Sequence, residues 1–311
     1  MELAAGFKRL VRFVGKDSAQ ILIGQPVKDD LDIGIALRQG QDVVVDVFSG
    51  LSVLNPGVKT RRTEYIGRIL SPLAQHEVGT IRCIGLNYNQ HAKEVGMEPP
   101  SIPTLFMKPS TAIGDPWPAQ SILPRLTQVD DCGDFESELA VVIGKMAKNV
   151  SEAEAMDYVL GYTAANDISS RTSQLNQSQW SFSKGFDGSC PIGKYIQHFG
   201  HEHSSLTTRV GPTLVSTSII PDPAKLWIRG LKNNTVLQDC GIRSDMIFSI
   251  PKLVSFLSQS TTLLPGTIII TGTPAGVGMG RKPKETLRDG DEFAVEILPH
   301  VGTLVNVFVN E

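Results

Sequence analysis

Residues 134–145 read DFESELAVVIGK. The second half, LAVVIG, is apolar and β-branched, the composition of a buried strand. Side chains at i and i+2 of a strand share a face, so Glu136 and Glu138 point the same way. Two carboxylates side by side repel unless a cation lies between them. A solvated acidic stripe explains an isolated Glu-x-Glu pair just as well, but this strand runs inward. VLGYTAAND (159–167) reads as a second apolar strand ending on Asp167, a short carboxylate able to reach into a cleft. Glu136, Glu138 and Asp167, with water or substrate oxygens completing the shell, suit a hard ion such as Mg²⁺. Asp130, Asp131 and Asp134 are expected in a solvated loop at the rim.

Outward from this pair, the chain alternates short strands and turns. IRCIGLNY (81–88) reads as a core strand and GTIIITGTPAGVG (266–278) as a buried strand entering a Gly-rich turn. DEFAVEIL (291–298) and TLVNVFVN (303–310) read as a terminal pair of strands. SEAEAMDYV (151–159) opens with the Ser151/Glu154 capping pattern of a short helix. Residues 245–263, DMIFSIPKLVSFLSQSTTL, read as one amphipathic helix with Pro251 near its first turn. Residues 1–76 read as a small β-containing unit ahead of a larger domain over 77–311. In it, FKRLVRFVG and AQILIGQPV flank a turn at 16–18, and 33–37 with 42–47 form another strand pair. Residues 53–62 are expected to be polar and irregular around Asn55-Pro56-Gly57. Many strands with few helices predict an α+β, β-rich fold.

The chemistry extends beyond the acids. In NYNQHAKEVGMEPP (87–100), His91 and Glu94 stand at i and i+3, side by side on one helical turn. Such a carboxylate orients the imidazole and raises its basicity, which suits it to take a proton from water. Gly96, Pro99 and Pro100 favour a short, movable helix, a lid. Lys108 and Lys184, among apolar or Gly neighbours, could hold a substrate carboxylate or an enolate oxygen. Arg171 and Gln174 follow Asp167 closely enough to contact substrate. TGTPAGVG (271–278) matches neither dinucleotide nor P-loop signatures, yet its N–H groups, with Thr273, could hold a carboxylate. His198, His201 and His203 read as an exposed loop.

Bulk composition excludes other classes. The 311 residues carry 29 Lys+Arg against 32 Asp+Glu, and no basic block supports a nucleic-acid partner. No apolar run reaches the ~20 residues of a membrane helix. Cys83, Cys132, Cys190 and Cys240 form no CxxC pair, which fits a reducing, cytoplasmic setting, with a mitochondrial address left open by the basic start.

Taken in order, CIGLNYNQHAKEVGM, LFMKPSTAI, DFESELAVVIGK, GYTAANDIS, QWSFSKGFDGSCPIG, SDMIFSIPKLVSFLSQ and TGTPAGVG resemble the fumarylacetoacetate hydrolase superfamily, over about residues 80–310. The N-terminal extension resembles the longer subgroup that includes the domain-containing protein 2 homologues. The resemblance implies a mixed β-sandwich roll, a homodimer, and Mg²⁺, Mn²⁺ or Ca²⁺ on Glu136, Glu138 and Asp167. It implies His91 and Glu94 as the water-activating dyad, Lys184 beside metal and substrate, and Thr273 on the substrate carboxylate. The substrate it implies is a small 2-oxo or 1,3-dicarbonyl acid. Cleavage of an acylpyruvate-like C–C bond is one outcome. Decarboxylation or keto–enol tautomerisation of oxaloacetate, or a decarboxylation or isomerisation step on a natural-product intermediate, are others. Ser137 replaces the usual Gly of the acidic motif, which should leave the ligands unaffected.

Overall fold

The computed structural model describes residues 7–29, 31–193 and 213–311. Two sheets carry the fold. The larger runs, strand by strand, through Ile21–Pro26, Val44–Phe48, Lys59–Ile69, Arg9–Gly15, Leu214–Ser216, Val159–Asn166, Ser137–Ile143, Ile268–Ile270, Thr80–Gly85 and Thr104–Pro109. The smaller runs through Thr235–Gly241, Trp227–Lys232, Glu292–Leu298, Gly302–Asn310 and Gln120–Leu123. Both are mixed: Ile268–Ile270 pairs parallel to Thr80–Gly85, and Gly302–Asn310 parallel to Gln120–Leu123. The β-rich α+β sandwich expected from the sequence is the fold observed.

Alternation along Ser137–Ile143 sorts the two faces of the larger sheet. Leu139, Val141 and Ile143 join Ile228, Phe293, Val295 and Leu304 of the smaller sheet in one core. Phe135, on the same side, stacks on Phe293 with ring centroids 4.3 Å apart. Ala140 and Val142 face the other way, into a second core with Ile81, Cys83, Ile268 and Ile270. Glu136 and Glu138 share that second face, as the period-2 reading requires.

Several elements differ from the sequence reading. Residues 33–37 belong to a helix, Ile33–Arg38, that buries Ile33 and Ala36 one turn apart and stops at Gly40 with φ +71°. The polar stretch expected over 53–62 is cut short by an eleven-residue strand, Lys59–Ile69. Its neighbours on both sides supply the backbone partners that its own polar side chains do not advertise. The segment 151–159 forms a 3₁₀ turn, Ala155–Tyr158, although Ser151 Oγ does donate to Glu154 Oε2 at 2.6 Å. The helix expected from 245 begins only at Ile250, where Ser249 caps it and Pro251 fits the first turn. Residues 246–248 are drawn off instead by Asn87, which accepts from the Phe248 N–H at 2.7 Å and whose carbonyl accepts from the Ile247 N–H at 2.8 Å. The N-terminal strands have their own apolar cluster around Val11, Phe13, Val45 and Ile66. They are nevertheless continuous with the large sheet, because Arg9–Gly15 pairs with Leu214–Ser216. His198, His201 and His203 lie outside the described residues.

Candidate active site

The site forms where three strand ends meet. Glu138 lies in Ser137–Ile143, opposite Ala165 of the neighbouring strand, and Asp167 follows that strand's last residue. The Asp167 N–H donates to the Glu136 carbonyl at 2.9 Å, which ties the two strand ends together. Glu136, Glu138 and Asp167 are all buried, and each offers a carboxylate oxygen such that these atoms lie within 4.8 Å of one another.

Each carboxylate is held differently. Glu136 meets Arg171 Nη1 at 2.7 Å and Lys184 Nζ at 2.9 Å. Burial works to raise its carboxyl, but Lys184, Arg171 and His91 outweigh burial and hold it at about 2. Asp167 meets Lys108 Nζ at 2.7 Å through Oδ1 and Lys184 Nζ at 2.9 Å through Oδ2. Glu138 accepts the Gly272 N–H at 2.5 Å. Burial, then the charges of Asp167 and Glu136, push its carboxyl well above the ordinary range. An ionised Glu138 thus needs positive charge in the space the three acids enclose. All-oxygen donors crowded around such a space fit a hard divalent cation. Gly272 can bring its N–H this close because it adopts φ +95° and carries no Cβ, which would sit 2.7 Å from Asn87 Cβ.

A cavity of about 180 Å³ opens above the carboxylates. Of the residues singled out in the sequence, His91, Glu136, Arg171, Gln174, Lys184 and Thr273 line it. Its other walls are apolar, chiefly Leu86, Val95, Met97, Leu175, Trp180 and Met279. Trp180 fits because residue 85 is glycine: a Cβ there would meet the indole at 2.3 Å. The expected short helix is present as Asn89–Glu94. His91 Nδ1 lies 3.0 Å from Glu94 Oε2, and Glu94 Oε1 accepts the Gly276 N–H at 2.9 Å.

Two residues stand elsewhere than the sequence reading put them. Lys108 is fully buried beneath the carboxylates and is absent from the cavity wall. Besides Asp167, its ammonium reaches Ser189 O at 2.7 Å, Ser189 Oγ at 3.1 Å and Ile168 O at 3.3 Å. A lysine has three protons to give, so none remains for substrate. Asp134 is 1% exposed rather than solvated. It accepts from Phe135 and Gly278 N–H at 2.8 Å, from Met279 N–H at 2.9 Å and from Arg171 Nε at 2.7 Å. Asp130 and Asp131 are exposed as expected, Asp131 paired with Arg288 at 2.6 Å.

Gln238 and Ser189 escaped the sequence reading. Gln238 Nε2 donates to Thr273 Oγ1 at 2.7 Å and to the Pro274 carbonyl at 2.8 Å, while its Oε1 accepts the Ser137 N–H at 3.0 Å. Ser189 bonds Lys108 and also donates to the Lys184 carbonyl at 2.7 Å. Neither sits in a motif whose spacing betrays its role.

The fumarylacetoacetate (FAA) hydrolase C-terminal model matches residues 80–309, which spans every one of these groups. The chain belongs to the fumarylacetoacetate hydrolase family. The caffeoylpyruvate hydrolase of Neonothopanus nambi is 39% identical over 99% of this chain and 96% of its own length. The oxaloacetate tautomerase of Bacillus subtilis is 41% identical over 73% of this chain and 68% of its own. Among solved structures, the 2-hydroxyhepta-2,4-diene-1,7-dioate isomerase from Mycobacterium marinum superposes with a TM-score of 0.73 at 30% identity, covering 98% and 99% of the two chains. This chain is therefore an enzyme of a family whose members include hydrolases, isomerases and tautomerases. Among the described residues, no helix is long and apolar enough to cross a membrane, and all four cysteines are free.

Proposed function

We propose that this enzyme hydrolyses the C–C bond of an acylpyruvate whose acyl group is apolar. The observation that carries the reading is the division of the cavity. Its floor is ionic and its roof holds the His91–Glu94 pair. The remaining wall, with Leu86, Val95, Met97, Leu175 and Trp180, offers an uncharged group about the only favourable partner. The near full-length similarity to a caffeoylpyruvate hydrolase supports the same choice.

Glu136, Glu138 and Asp167 would hold Mg²⁺, with Mn²⁺ or Ca²⁺ as alternatives. Such an ion would polarise the oxygens of the 1,3-dicarbonyl unit. The Thr273 hydroxyl accepts from Gln238, so its own proton is free to donate to the substrate carboxylate. With the Nδ1 proton directed at Glu94, His91 presents an unprotonated Nε2 as base. His91 takes a proton from water, and the hydroxide adds to the distal carbonyl. The C–C bond then breaks, and its electron pair passes to the pyruvate fragment as an enolate beside the Lys184 ammonium. The proton held by His91 returns to that fragment's carbon. One water and one acylpyruvate become a carboxylic acid and pyruvate.

A second reading is tautomerisation or decarboxylation of oxaloacetate on the same floor. It is favoured by Arg171 Nη2, which is buried at the cavity with no hydrogen-bond partner among the described residues and could meet a second carboxylate. A side-by-side assay of an aryl acylpyruvate, acetylpyruvate and oxaloacetate, with and without EDTA, separates the two. The first reading expects loss of the β-diketone absorbance with two acid products, fastest for the aryl substrate and abolished by EDTA. Carbon dioxide release or keto–enol relaxation of oxaloacetate, with no acylpyruvate turnover, would replace it by the second. The proposal includes a homodimer as the working unit, to be checked by light scattering on the eluted protein.

A further inference from the structure

The helix Asn89–Glu94 carries both members of the His91–Glu94 pair, yet its own hydrogen bonds give it little permanence. At six residues it is far below the length at which a helix is stable alone. Its first N–H groups have no partner within the helix. Tyr88, at the capping position, supplies no side-chain bond. The cap comes instead from a segment about 155 residues away. Asp245 accepts the Gln90 N–H through both carboxylate oxygens, at 3.1 and 3.4 Å, and its carbonyl accepts Asn89 Nδ2 at 2.8 Å. Residues 88 and 246 form an antiparallel bridge alongside.

Asp245 is itself 6% exposed and held in place. Its Oδ2 lies 3.7 Å from Cys240 Sγ, and burial followed by the Asp245 charge pushes that thiol up to about 12, so it stays a donor. At its other end Glu94 Oε1 accepts the Gly276 N–H. A buried carboxylate on the Gln90 N–H satisfies that donor and complements the helix dipole.

We propose that Asp245 is a positioning residue: by capping the Asn89–Glu94 helix from the end of the facing helical turn Ile242–Asp245, it sets where the His91–Glu94 pair stands over the carboxylate floor. The inference rests on the reading of that pair as the water-activating dyad. Displacement of a catalytic group by about an ångström costs on the order of 100-fold, and that is the scale of loss expected in kcat.

The test uses the Mg²⁺-loaded enzyme with Asp245→Ala and Asp245→Asn, read by steady-state kinetics, Mg²⁺ titration and amide hydrogen exchange. Asp245→Ala should lower kcat about 10- to 100-fold with KM and Mg²⁺ affinity near those of the parent. Exchange should rise over residues 88–95 and stay unchanged over 137–143. Asp245→Asn keeps one acceptor and should recover part of the kcat. Parental kcat together with parental exchange over 88–95 would overturn the proposal. So would faster exchange across 137–143 with weakened Mg²⁺ binding, which marks a general loss of structure. If His91→Ala keeps full activity, the dyad reading fails, and the exchange pattern still decides whether Asp245 caps the helix.

Discussion

The strand that carries Glu138 and the strand that leads into Asp167 are buried along their whole length, whereas the helix that carries His91 and Glu94 has three of its six residues exposed. The floor is held by an unbroken antiparallel register from Ser137↔Asn166 to Val142↔Gly161, and each of its carboxylates has a fixed partner. The roof is held at its start by Asp245 of the turn Ile242–Asp245, which accepts the Gln90 N–H, and at its end by Glu94, which accepts the Gly276 N–H. Charge stabilisation works best when the charges need not reorganise during reaction, which a doubly covered sheet provides. Access and water exclusion need a segment of low local stability, which a short helix provides. One cavity thus joins a strand-held floor to a lightly held helix.

That contrast can be broken at several points. Asp167→Ala should have the largest effect, a loss of roughly 10⁴-fold or more in kcat/KM. It removes a proposed cation ligand and takes from Lys108 and Lys184 the carboxylate they share, leaving Lys184 on Glu136 and Lys108 on Ser189 and Ile168. It should also abolish the rise in melting temperature that Mg²⁺ gives the parent, about 2.7 kcal/mol at 100 times the dissociation constant. A parent whose melting is indifferent to Mg²⁺ would remove the cation from the floor altogether. His91→Ala should cost about 10²- to 10³-fold in kcat, the contribution of a general base, and leave the Mg²⁺ shift intact. If it weakened Mg²⁺ binding as much as Asp167→Ala does, roof and floor would not be separable.

Lys108→Met comes next. Removing one partner of a buried pair typically costs about 3–5 kcal/mol, so a lower denaturation midpoint is expected. Mg²⁺ affinity should fall by about 10- to 100-fold, as for other groups that orient a ligand. Substrate KM should change little, because Lys108 does not reach the cavity. A large rise in KM with parental stability would return Lys108 to the substrate.

The acids were legible because they sit at period-2 spacing in an apolar run, and strand geometry then leaves one reading of their direction. His91 and Glu94 were legible for the matching reason in a helix. Lys108 was misplaced because one apolar neighbourhood suits a lysine that meets substrate and a lysine that meets Asp167. Only the tertiary positions of Ser189 and Ile168 decide between them. Asp134 was misread because its partners, Arg171 and the N–H groups of Gly278 and Met279, lie far along the chain. The helix at 33–38 was missed because IGIAL is short and β-branched enough to read as a strand, and its decisive signal, Gly40 past the end, is a weak one.

The smallest effect is the sharpest test of how the two faces are divided. Ser137 stands between Glu136 and Glu138, so strand alternation turns its side chain away from the carboxylates. There it meets the smaller sheet: a Cβ on Gly230 would lie 2.5 Å from its hydroxyl oxygen. The Ser137 hydroxyl is fully buried and has no hydrogen-bond partner among the described residues. An unsatisfied buried hydroxyl costs about 1–3 kcal/mol, whereas a methyl group at the same place costs nothing in hydrogen bonding. Ser137→Ala should therefore hold stability or raise it by up to about 1 kcal/mol, roughly 1.5 °C in melting temperature for a chain of this size. The backbone N–H that Ser137 gives to Gln238 survives the change, so Thr273 stays where it is. Kinetics and Mg²⁺ affinity should match the parent. A loss of activity here would mean that the sandwich interior reaches through the strand to the carboxylates, and that the floor is less insulated than its alternating faces imply.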